Sequence, residues 1–343
     1  MPSFALSKYQ LVPKGILGSH ASARSRKGAL LRVSFPDGSV GYGDCFPWPE
    51  LGDLPLESHL DELRAGRFSD LIRCSLRCAR VDAEARQAGK NLFKHPIPKS
   101  HFLMTDFSQL TLEGEREGAM DRIKKISALG FTRIKVKVGT RPVHEAQQLS
   151  KLLSQCSGLL DESFILLRLD FNGTLTQNEV DLFMETLGEE KRRIDFIEDP
   201  TPYDPEIWAR IQKKWGIRLA LDRMVRPSVP DLKKGSFSVL VLKPEIQDEK
   251  EWVRLAQEFE VPLVVTSALG HPLGQVYSAW VASQIARDHQ NLPLEACGLI
   301  SHPIYQPNRF SSLLRDQAGR LLPSKGNGLG FDSLLAELDW EKI

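Results

Sequence analysis

The chain has 343 residues, 41% of them hydrophobic and 26% charged, which is the balance of an ordinary globular protein rather than a disordered, collagenous or membrane-spanning one. Its 45 Lys and Arg residues offset 44 Asp and Glu residues, so no global field draws the chain to nucleic acid or to an anionic membrane. The five cysteines lack metal-finger or disulfide spacing, and residues 1–31 lack the apolar core of a signal peptide. These features predict a reducing, cytoplasmic location.

The length predicts about two domains, or one large barrel with an addition. In the first part, β-like runs at Ala29–Phe35 and Val40–Gly43 flank a Pro-Asp-Gly turn and predict a small antiparallel sheet. An amphipathic helix is expected from Phe68 to Gly89. It carries Cys74 and Cys78, which we interpret as small buried hydrophobic residues rather than a metal or redox pair, since no further Cys or His lies nearby.

From about His101 onward, short apolar runs alternate regularly with polar helical stretches. The eight runs are His101–Met104, Thr132–Val138, Phe164–Phe171, Ile194–Ile197, Arg218–Leu221, Ser238–Leu242, Leu263–Thr266 and Leu294–Cys297. The helical stretches between them are Glu113–Leu129, His144–Gln155, Gln177–Leu187, Glu206–Lys214, Glu249–Glu258 and Leu273–Asp288. This alternation favours an α/β fold in which a TIM-like (β/α)8 barrel encloses the core. The competing open, doubly wound sheet is weakened because no Gly-x-Gly-x-x-Gly turn follows a strand.

The second of these runs carries three cations at alternate positions, Arg133, Lys135 and Lys137. In a strand, alternate side chains share one face, so Ile134 and Val136 would pack on the outer helices while the cations point into the barrel. Cations inside a barrel are costly unless an anionic group meets them.

Three carboxylates satisfy that requirement, because the next three runs end in Asp170, Glu198 and Asp222. Each carboxylate is one βα unit from the next, which places all three at the same end of the barrel. Three converging oxygen donors are typical of a hard divalent cation site, with Mg²⁺ the natural occupant and Mn²⁺ a substitute.

The sixth run is followed by Lys243, on the wall of the barrel opposite the second run. A buried lysine near other cations has a lowered pKa and can act as a base, while a metal stabilises an enolate. The pattern therefore indicates removal of a proton next to a carboxylate.

The set Lys135, Lys137, Asp170, Glu198, Asp222 and Lys243 resembles that of the enolase superfamily, in its muconate-lactonising-enzyme subgroup. Residues 40–49, Val-Gly-Tyr-Gly-Asp-Cys-Phe-Pro-Trp-Pro, are similar to the Gly-aromatic-Gly-Glu and Pro-rich stretch of that family's capping domain. The resemblance covers nearly the whole chain. Within the subgroup, the strand end at 241–244 and the short overall length are most similar to the o-succinylbenzoate synthase family.

This resemblance implies an N-terminal α+β capping domain over residues 1–98, a barrel over 99–310, and a C-terminal segment, 311–343, that packs back on the capping domain. It also implies a hydro-lyase of menaquinone biosynthesis that dehydrates 2-succinyl-6-hydroxycyclohexa-2,4-diene-1-carboxylate to 2-succinylbenzoate. Neither nucleic acid nor a membrane is an expected partner, and the substrate is a small dianionic carboxylate.

The resemblance also implies roles for individual residues. Lys137 would remove the α-proton, Lys135 would set the electrostatics and hold the carboxylate, and Lys243 would place its charge over the ring being aromatised. The metal ligands would be Asp170, Glu198 and Asp222. Asn172 would lie next to these ligands and hold them in position. Because a dianion requires N–H groups and cations, we expect substrate contacts from Ser267, Gly270, Gly298, Arg24 and Arg26.

Two lysines on opposite faces of one carbon could also serve a racemase or epimerase. Dipeptides are disfavoured, because residues 296–303 offer no carboxylate for an ammonium group. Racemisation of N-acylamino acids remains open, as does another cycloisomerase of the superfamily. A noncatalytic barrel would be expected to lack a lysine or a carboxylate of the set, and none is missing.

Overall fold

The computed structural model describes residues 2–17, 24–111, 118–156, 165–222 and 232–343. Its first part is an antiparallel sheet of β1 (Ser3–Leu11), β2 (Arg26–Ser34) and β3 (Val40–Cys45). Two helices follow, α1 (Leu56–Arg64) and α2 (Asp70–Gln87). The expected sheet and helix are thus present.

Helix α2 packs closely on β3 because that strand carries glycines where the two backbones meet. A Cβ atom at Gly43 would lie 2.1 Å from the carbonyl oxygen of Ser75, and one at Gly41 would lie 1.9 Å from that of Ala79. Only glycine permits this approach. Cys74 and Cys78 are each 3% exposed and form no disulfide, so the interpretation of this pair as small buried residues is confirmed.

The larger part is a curled parallel sheet whose seven strands follow one another in chain order. They are β4 (Phe102–Met104), β5 (Arg133–Lys137), β6 (Leu166–Asp170), β7 (Ile194–Glu198), β8 (Leu219–Leu221), β9 (Val239–Leu242) and β10 (Leu263–Val265). Each lies within a run expected from the sequence or extends it by one residue; residue 164 of the third run lies outside the described residues.

The eighth run closes the sheet through isolated bridges rather than a regular strand. Leu294 and Gly298 bridge to Leu263 and Thr266 on one side, and Cys297 bridges to Ser100 on the other. The Cys297 carbonyl accepts from the N–H of His101 at 2.6 Å. The sheet is therefore a closed TIM-like barrel, as expected.

Helices cover the outside of the barrel. In chain order they are α3 (Ser108–Thr111), α4 (Ala119–Ala128), α5 (Pro142–Cys156), α6 (Gln177–Leu187), α7 (Pro205–Trp215), α8 (Glu249–Phe259) and α9 (Pro272–Asp288). Residues 113–117 of the helix expected before β5 lie outside the described residues. None of the described helices combines the length and the apolarity that crossing a lipid bilayer requires.

Alternate side chains of each strand lie on opposite faces of the sheet. Ile134 and Val136 are fully buried in the layer between β5 and the helices. A separate apolar cluster, formed by Phe196, Ala220, Val239, Val241 and Val264, is contributed by β7–β10 at alternating positions. It separates the two polar ends of the barrel.

The chain ends with a short hairpin, β11 (Arg315–Gln317) and β12 (Arg320–Leu322), then α10 (Asp332–Ala336) and β13 (Glu341–Lys342). Strand β13 pairs with β1, and Ile343 packs against the core of the N-terminal sheet. The division of the chain at residues 98 and 310 stays a prediction.

Candidate active site

Charged side chains gather at the C-terminal ends of five consecutive strands. The register pairs Lys137 with Asp170 across β5 and β6, and Asp170 with Glu198 across β6 and β7. Asp222 and Lys243 directly follow β8 and β9. Because parallel strands end at one rim of a barrel, the fold brings these residues together from distant parts of the chain.

Lys135 lies at the centre of this group. Its Nζ is 3.1 Å from Asp170 Oδ2 and 2.5 Å from Glu198 Oε1, and all three residues are less than 9% exposed. Two carboxylates thus neutralise one buried ammonium group, as the alternation in β5 predicts.

The other two lysines flank the carboxylates from opposite sides. Lys137 Nζ is 3.9 Å from Asp170 Oδ2, and Lys243 Nζ donates to Asp222 Oδ2. Their side chains are 16% and 21% exposed, so both amines are enclosed yet accessible to a small molecule.

The two lysines of β5 have opposite electrostatic surroundings. Burial works to lower the pKa of Lys135, but Asp170 and Glu198 together hold it above the ordinary value. Burial lowers the pKa of Lys137, and the charges of Lys135 and Lys243 add to that effect against the opposing pull of Asp170. Lys137 is therefore the member of the pair that gives up its proton more readily.

The carboxylates are also unequal. Burial raises the pKa of Glu198, whereas Lys135 and Lys137 outweigh burial and hold the pKa of Asp170 below its ordinary value. Asp222 is likewise buried, but Lys243 keeps its pKa low. Among the described residues, Oδ1 of Asp222 is buried without a hydrogen-bond partner.

Two further residues shape the turns after the carboxylates. Asn172 (φ 54°) donates its backbone N–H to Asp170 Oδ1 at 3.0 Å. Asp199 (φ 41°) accepts the N–H of Asp222 at 3.1 Å, and burial raises its pKa to about 7. Asp199 was not predicted; the signal was an acidic residue placed directly after Glu198.

The expected substrate contacts after the last two strands stay predictions, and the hydrogen bonds there limit which groups could make them. The N–H of Ser267 donates to the Gly298 carbonyl at 3.0 Å, and the N–H of Gly298 donates to the Val265 carbonyl at 2.8 Å. Closure of the barrel uses both groups, so neither is a free donor for a substrate carboxylate. The Ser267 hydroxyl lies 2.6 Å from that of Ser301, and Gly270 packs against Asp44, whose carboxylate a Cβ there would approach to 2.8 Å.

The two arginines expected from the N-terminal part differ in their surroundings. Arg26 is 6% exposed, pairs with Glu50 at 2.5 Å and lies 4.1 Å above the Trp48 ring. Trp48 donates to the Ala268 carbonyl at 2.9 Å, which ties the N-terminal part to the loop after β10. Arg24 is exposed, and residues 18–23 before it lie outside the described residues.

A buried acidic pair at this contact was also missed. Asp44 accepts from the Tyr9 hydroxyl at 2.5 Å and from the His271 N–H at 2.9 Å. Glu245 accepts from the Ala268 N–H at 3.1 Å and from the Ser278 hydroxyl. Burial raises the pKa of Asp44 to about 7 and that of Glu245 to about 8. Asp44 and Glu245 lie far apart along the chain, and the sequence carries no signal that they would meet at such a contact.

Comparisons with known proteins identify the family to which the chain belongs. Residues 4–85 match the family described as "O-succinylbenzoate synthase, N-terminal domain", and residues 119–334 match "Enolase C-terminal domain-like". The o-succinylbenzoate synthase of Bdellovibrio bacteriovorus is 34% identical over 347 residues, covering 100% of this chain and 99% of that one. The chain belongs to the o-succinylbenzoate synthase family of the enolase superfamily. Membership of this family makes it an enzyme of the carbon–oxygen lyase type, and the family and fold expected from the sequence are confirmed.

Solved structures resemble it across both parts. A mandelate racemase/muconate lactonizing protein from Herpetosiphon aurantiacus gives a TM-score of 0.75 at 18% identity, covering 96% of this chain and 97% of that one. Muconate lactonizing enzyme from Pseudomonas putida gives 0.66 at 13% identity, covering 98% of each. At these identities the likeness establishes the shared fold.

Proposed function

We propose that this member of the family catalyses a metal-dependent syn-dehydration of 2-succinyl-6-hydroxycyclohexa-2,4-diene-1-carboxylate to 2-succinylbenzoate. The observation that carries the proposal is the C-terminal end of the barrel, where Lys137 and Lys243 flank three buried carboxylates. The full-length relative named o-succinylbenzoate synthase supports the choice of substrate. The reaction belongs to menaquinone biosynthesis, which we place in the cytoplasm.

Lys137 acts as the base. Burial and neighbouring cations lower its pKa, so a larger fraction of its amine is free to accept a proton than in an exposed lysine. It takes the proton next to the substrate carboxylate, and the pair of electrons from that C–H bond moves into the ring system. The same ammonium group then returns a proton to the departing hydroxyl on the same face, and water leaves as the ring becomes aromatic.

Lys135 and Lys243 act through charge. Lys135 stays protonated between Asp170 and Glu198, so it presents a fixed positive charge beside the substrate carboxylate. Lys243 lies on the opposite side, where its ammonium group stabilises negative charge spread over the ring face. Neither role requires these lysines to lose a proton.

The three carboxylates fit a divalent cation. Among the described residues, no group of three His, Cys, Asp or Glu side chains is arranged to hold a metal ion as it stands, and Lys135 and Lys243 pair with the carboxylates. The donor set nevertheless suits Mg²⁺ or Mn²⁺, since Asp222 Oδ1 is buried without a partner and burial disfavours the charged form of Glu198. When bound by Asp170, Glu198 and Asp222, the metal would offset the negative charge that the substrate gains on losing its proton. Asn172 would hold Asp170 in place.

Residues around the mouth of the site would hold the two carboxylates of the substrate. We assign this role to the Ser267 hydroxyl, the Gly270 backbone and the guanidinium groups of Arg24 and Arg26. Arg26 has donors for a substrate carboxylate, because its Nε and Nη2 are buried without a partner among the described residues.

The test is absorbance of the diene on mixing protein, Mg²⁺ and the cyclohexadiene substrate, with Lys137→Ala in parallel. We expect the diene band to disappear as the aromatic product forms in the parent only. If the parent leaves the diene unchanged, the dehydratase proposal fails. Exchange of the α-hydrogen of an N-succinylamino acid with deuterated water would then identify the protein as a racemase, for which the same two flanking lysines suffice.

A further inference from the structure

The N-terminal end of the barrel, opposite the candidate active site, holds an open cavity of about 620 Å³. Its charged lining consists of five cations, Lys99, Arg133, Arg168, Arg218 and Arg320, and two carboxylates, Asp195 and Glu295. Arg133 begins β5, which ends in Lys137, and Arg168 precedes Asp170 by two positions on β6. We call this cavity the basic cavity.

Three of the arginines share the two carboxylates. Asp195 pairs with Arg168 Nε at 2.7 Å, Arg133 Nε at 3.1 Å and Arg218 Nη1 at 3.4 Å. Glu295 pairs with Arg168 Nη2 at 3.3 Å and with Arg218. This network alone leaves one positive charge uncompensated.

The remaining two cations add to the excess. Within the described parts of the chain, neither Lys99 nor Arg320 forms an ion pair; Arg320 donates to the Ile97 carbonyl, and Lys99 is exposed. Uncompensated cations repel one another at short range, so an anion bound among them would be stabilised. The basic cavity therefore carries a net charge of about +3, from its five cations and two carboxylates, which favours the binding of an anion.

We propose that the basic cavity binds a small phosphate compound that carries at least two negative charges, such as a diphosphate. Guanidinium groups bind phosphate oxygens in pairs, and an ammonium group adds a point charge. Cavities of a few hundred Å³ hold ligands of this size. Nothing in the proposed dehydration requires this ligand, so the two proposals stand or fall separately.

The position of the cavity also predicts what binding does. Lys99 lies in the segment that leads into β4, Arg320 lies on β12, and the other cations belong to the barrel. A ligand that contacts Lys99, Arg320 and the barrel arginines joins the C-terminal hairpin to the barrel. Binding should therefore raise the melting temperature.

The experiment is calorimetric titration of the full-length protein with pyrophosphate at constant ionic strength. ADP and adenosine are the second and third probes. We expect saturable binding of pyrophosphate with a submillimolar Kd, a rise in melting temperature, and no binding of adenosine. Tighter binding of ADP than of pyrophosphate would identify a nucleotide as the ligand, and equal binding would identify the phosphate groups alone.

The double variant Lys99→Gln/Arg320→Gln should raise the Kd at least tenfold. Its matched control, Lys151→Gln/Lys250→Gln, removes two exposed charges elsewhere and should leave the Kd unchanged. Arg320→Lys, which keeps the charge but not the paired donors of a guanidinium group, should bind more tightly than the double variant. A melting temperature of the ligand-free double variant near that of the parent shows that its loss of binding is not misfolding. The proposal is overturned if pyrophosphate gives no saturable signal, if sulfate binds equally well, or if the double variant and its control bind alike.

Discussion

Both ends of the barrel bury charged side chains, but they use different cations. At the C-terminal end, Lys135, Lys137 and Lys243 meet carboxylates, and the pKa values of Lys135 and Lys137 move in opposite directions. At the N-terminal end, Arg133 and Arg168 meet Asp195, and a guanidinium group stays charged at any physiological pH. One strand, β5, contributes to both ends from the same face. The choice of Lys or Arg therefore separates an end suited to moving protons from an end that holds fixed charge.

Loss of a carboxylate at the C-terminal end of the barrel, the lysine-rich end, should reduce activity most. Replacing Glu198 with Gln removes one of three carboxylates, and we expect kcat/KM with Mg²⁺ to fall by about 10³-fold or more, since a metal supplies several kcal/mol of transition-state stabilisation. Mn²⁺ binding, followed by electron paramagnetic resonance, should weaken in parallel. Glu206→Gln, on the exposed side of α7, is the control. Turnover of the Glu198 variant near that of the parent would remove Glu198 from the metal site.

At the N-terminal end of the barrel, the arginine-rich end, a substitution should lower the stability of the protein instead of its activity. Arg168 is 1% exposed and pairs with both Asp195 and Glu295, so Arg168→Met leaves buried carboxylates undercompensated. We expect the free energy of unfolding in urea to fall by about 3 kcal/mol or more, with kcat/KM of the folded enzyme within about threefold of the parent.

Arg254→Met breaks an exposed ion pair with Glu258 on α8 and should cost at most about 0.5 kcal/mol. Equal losses in the two variants would mean that the buried network contributes no more than a surface pair. A large loss of turnover at unchanged stability would show that the two ends are not separate in function.

Much of this division could be predicted from the sequence. Period-2 alternation in β5 places Lys135 and Lys137 on one face, and the spacing of Asp170, Glu198 and Asp222 matches successive βα units. Asp195 could not be placed in this way. Leu167 pairs with Ile194 and Arg168 with Phe196, so a bulge leaves Asp195 as an extra residue and alters the alternation of β7.

The backbone hydrogen bonds after the last two strands could not be predicted from the sequence either. The N–H groups of Ser267 and Gly298 are used in closing the barrel, because the eighth run joins its neighbours by isolated bridges. The fold class, in contrast, followed from the regular alternation of runs and helices, which tolerates errors of a residue or two at each boundary. The residue roles in the active site stay predictions until they are tested.

A smaller effect concerns acidic groups at the lysine-rich end that lack a cation. Among the described residues, neither Asp44 nor Glu245 forms an ion pair, and burial raises the pKa of Asp44 to about 7 from an ordinary 3.8. Because the folded state holds this proton more tightly than the unfolded state, the stabilisation is complete below about pH 4 and is lost as the pH rises to about 7.

Asp44→Asn removes this titration but keeps a side chain of the same shape. Relative to the parent, the free energy of unfolding of the variant should gain up to about 1.4 kcal/mol per pH unit between about pH 4 and 7, and then stay level. Urea unfolding across that range measures it. Glu245 is present in both proteins, so parallel profiles would show that Asp44 titrates normally.

The most direct measurement compares two variants of one strand, Lys137→Met and Arg133→Met, for loss of the diene absorbance with Mg²⁺. Both positions lie on the same face of β5, and both changes remove one cation. A general base contributes about 10²–10⁴-fold to a rate, so we predict that Lys137→Met loses at least about 10³-fold in kcat while Arg133→Met stays within about threefold of the parent. Equal losses in the two variants, or turnover retained without Lys137, would contradict the assignment of proton transfer to the C-terminal end of the barrel.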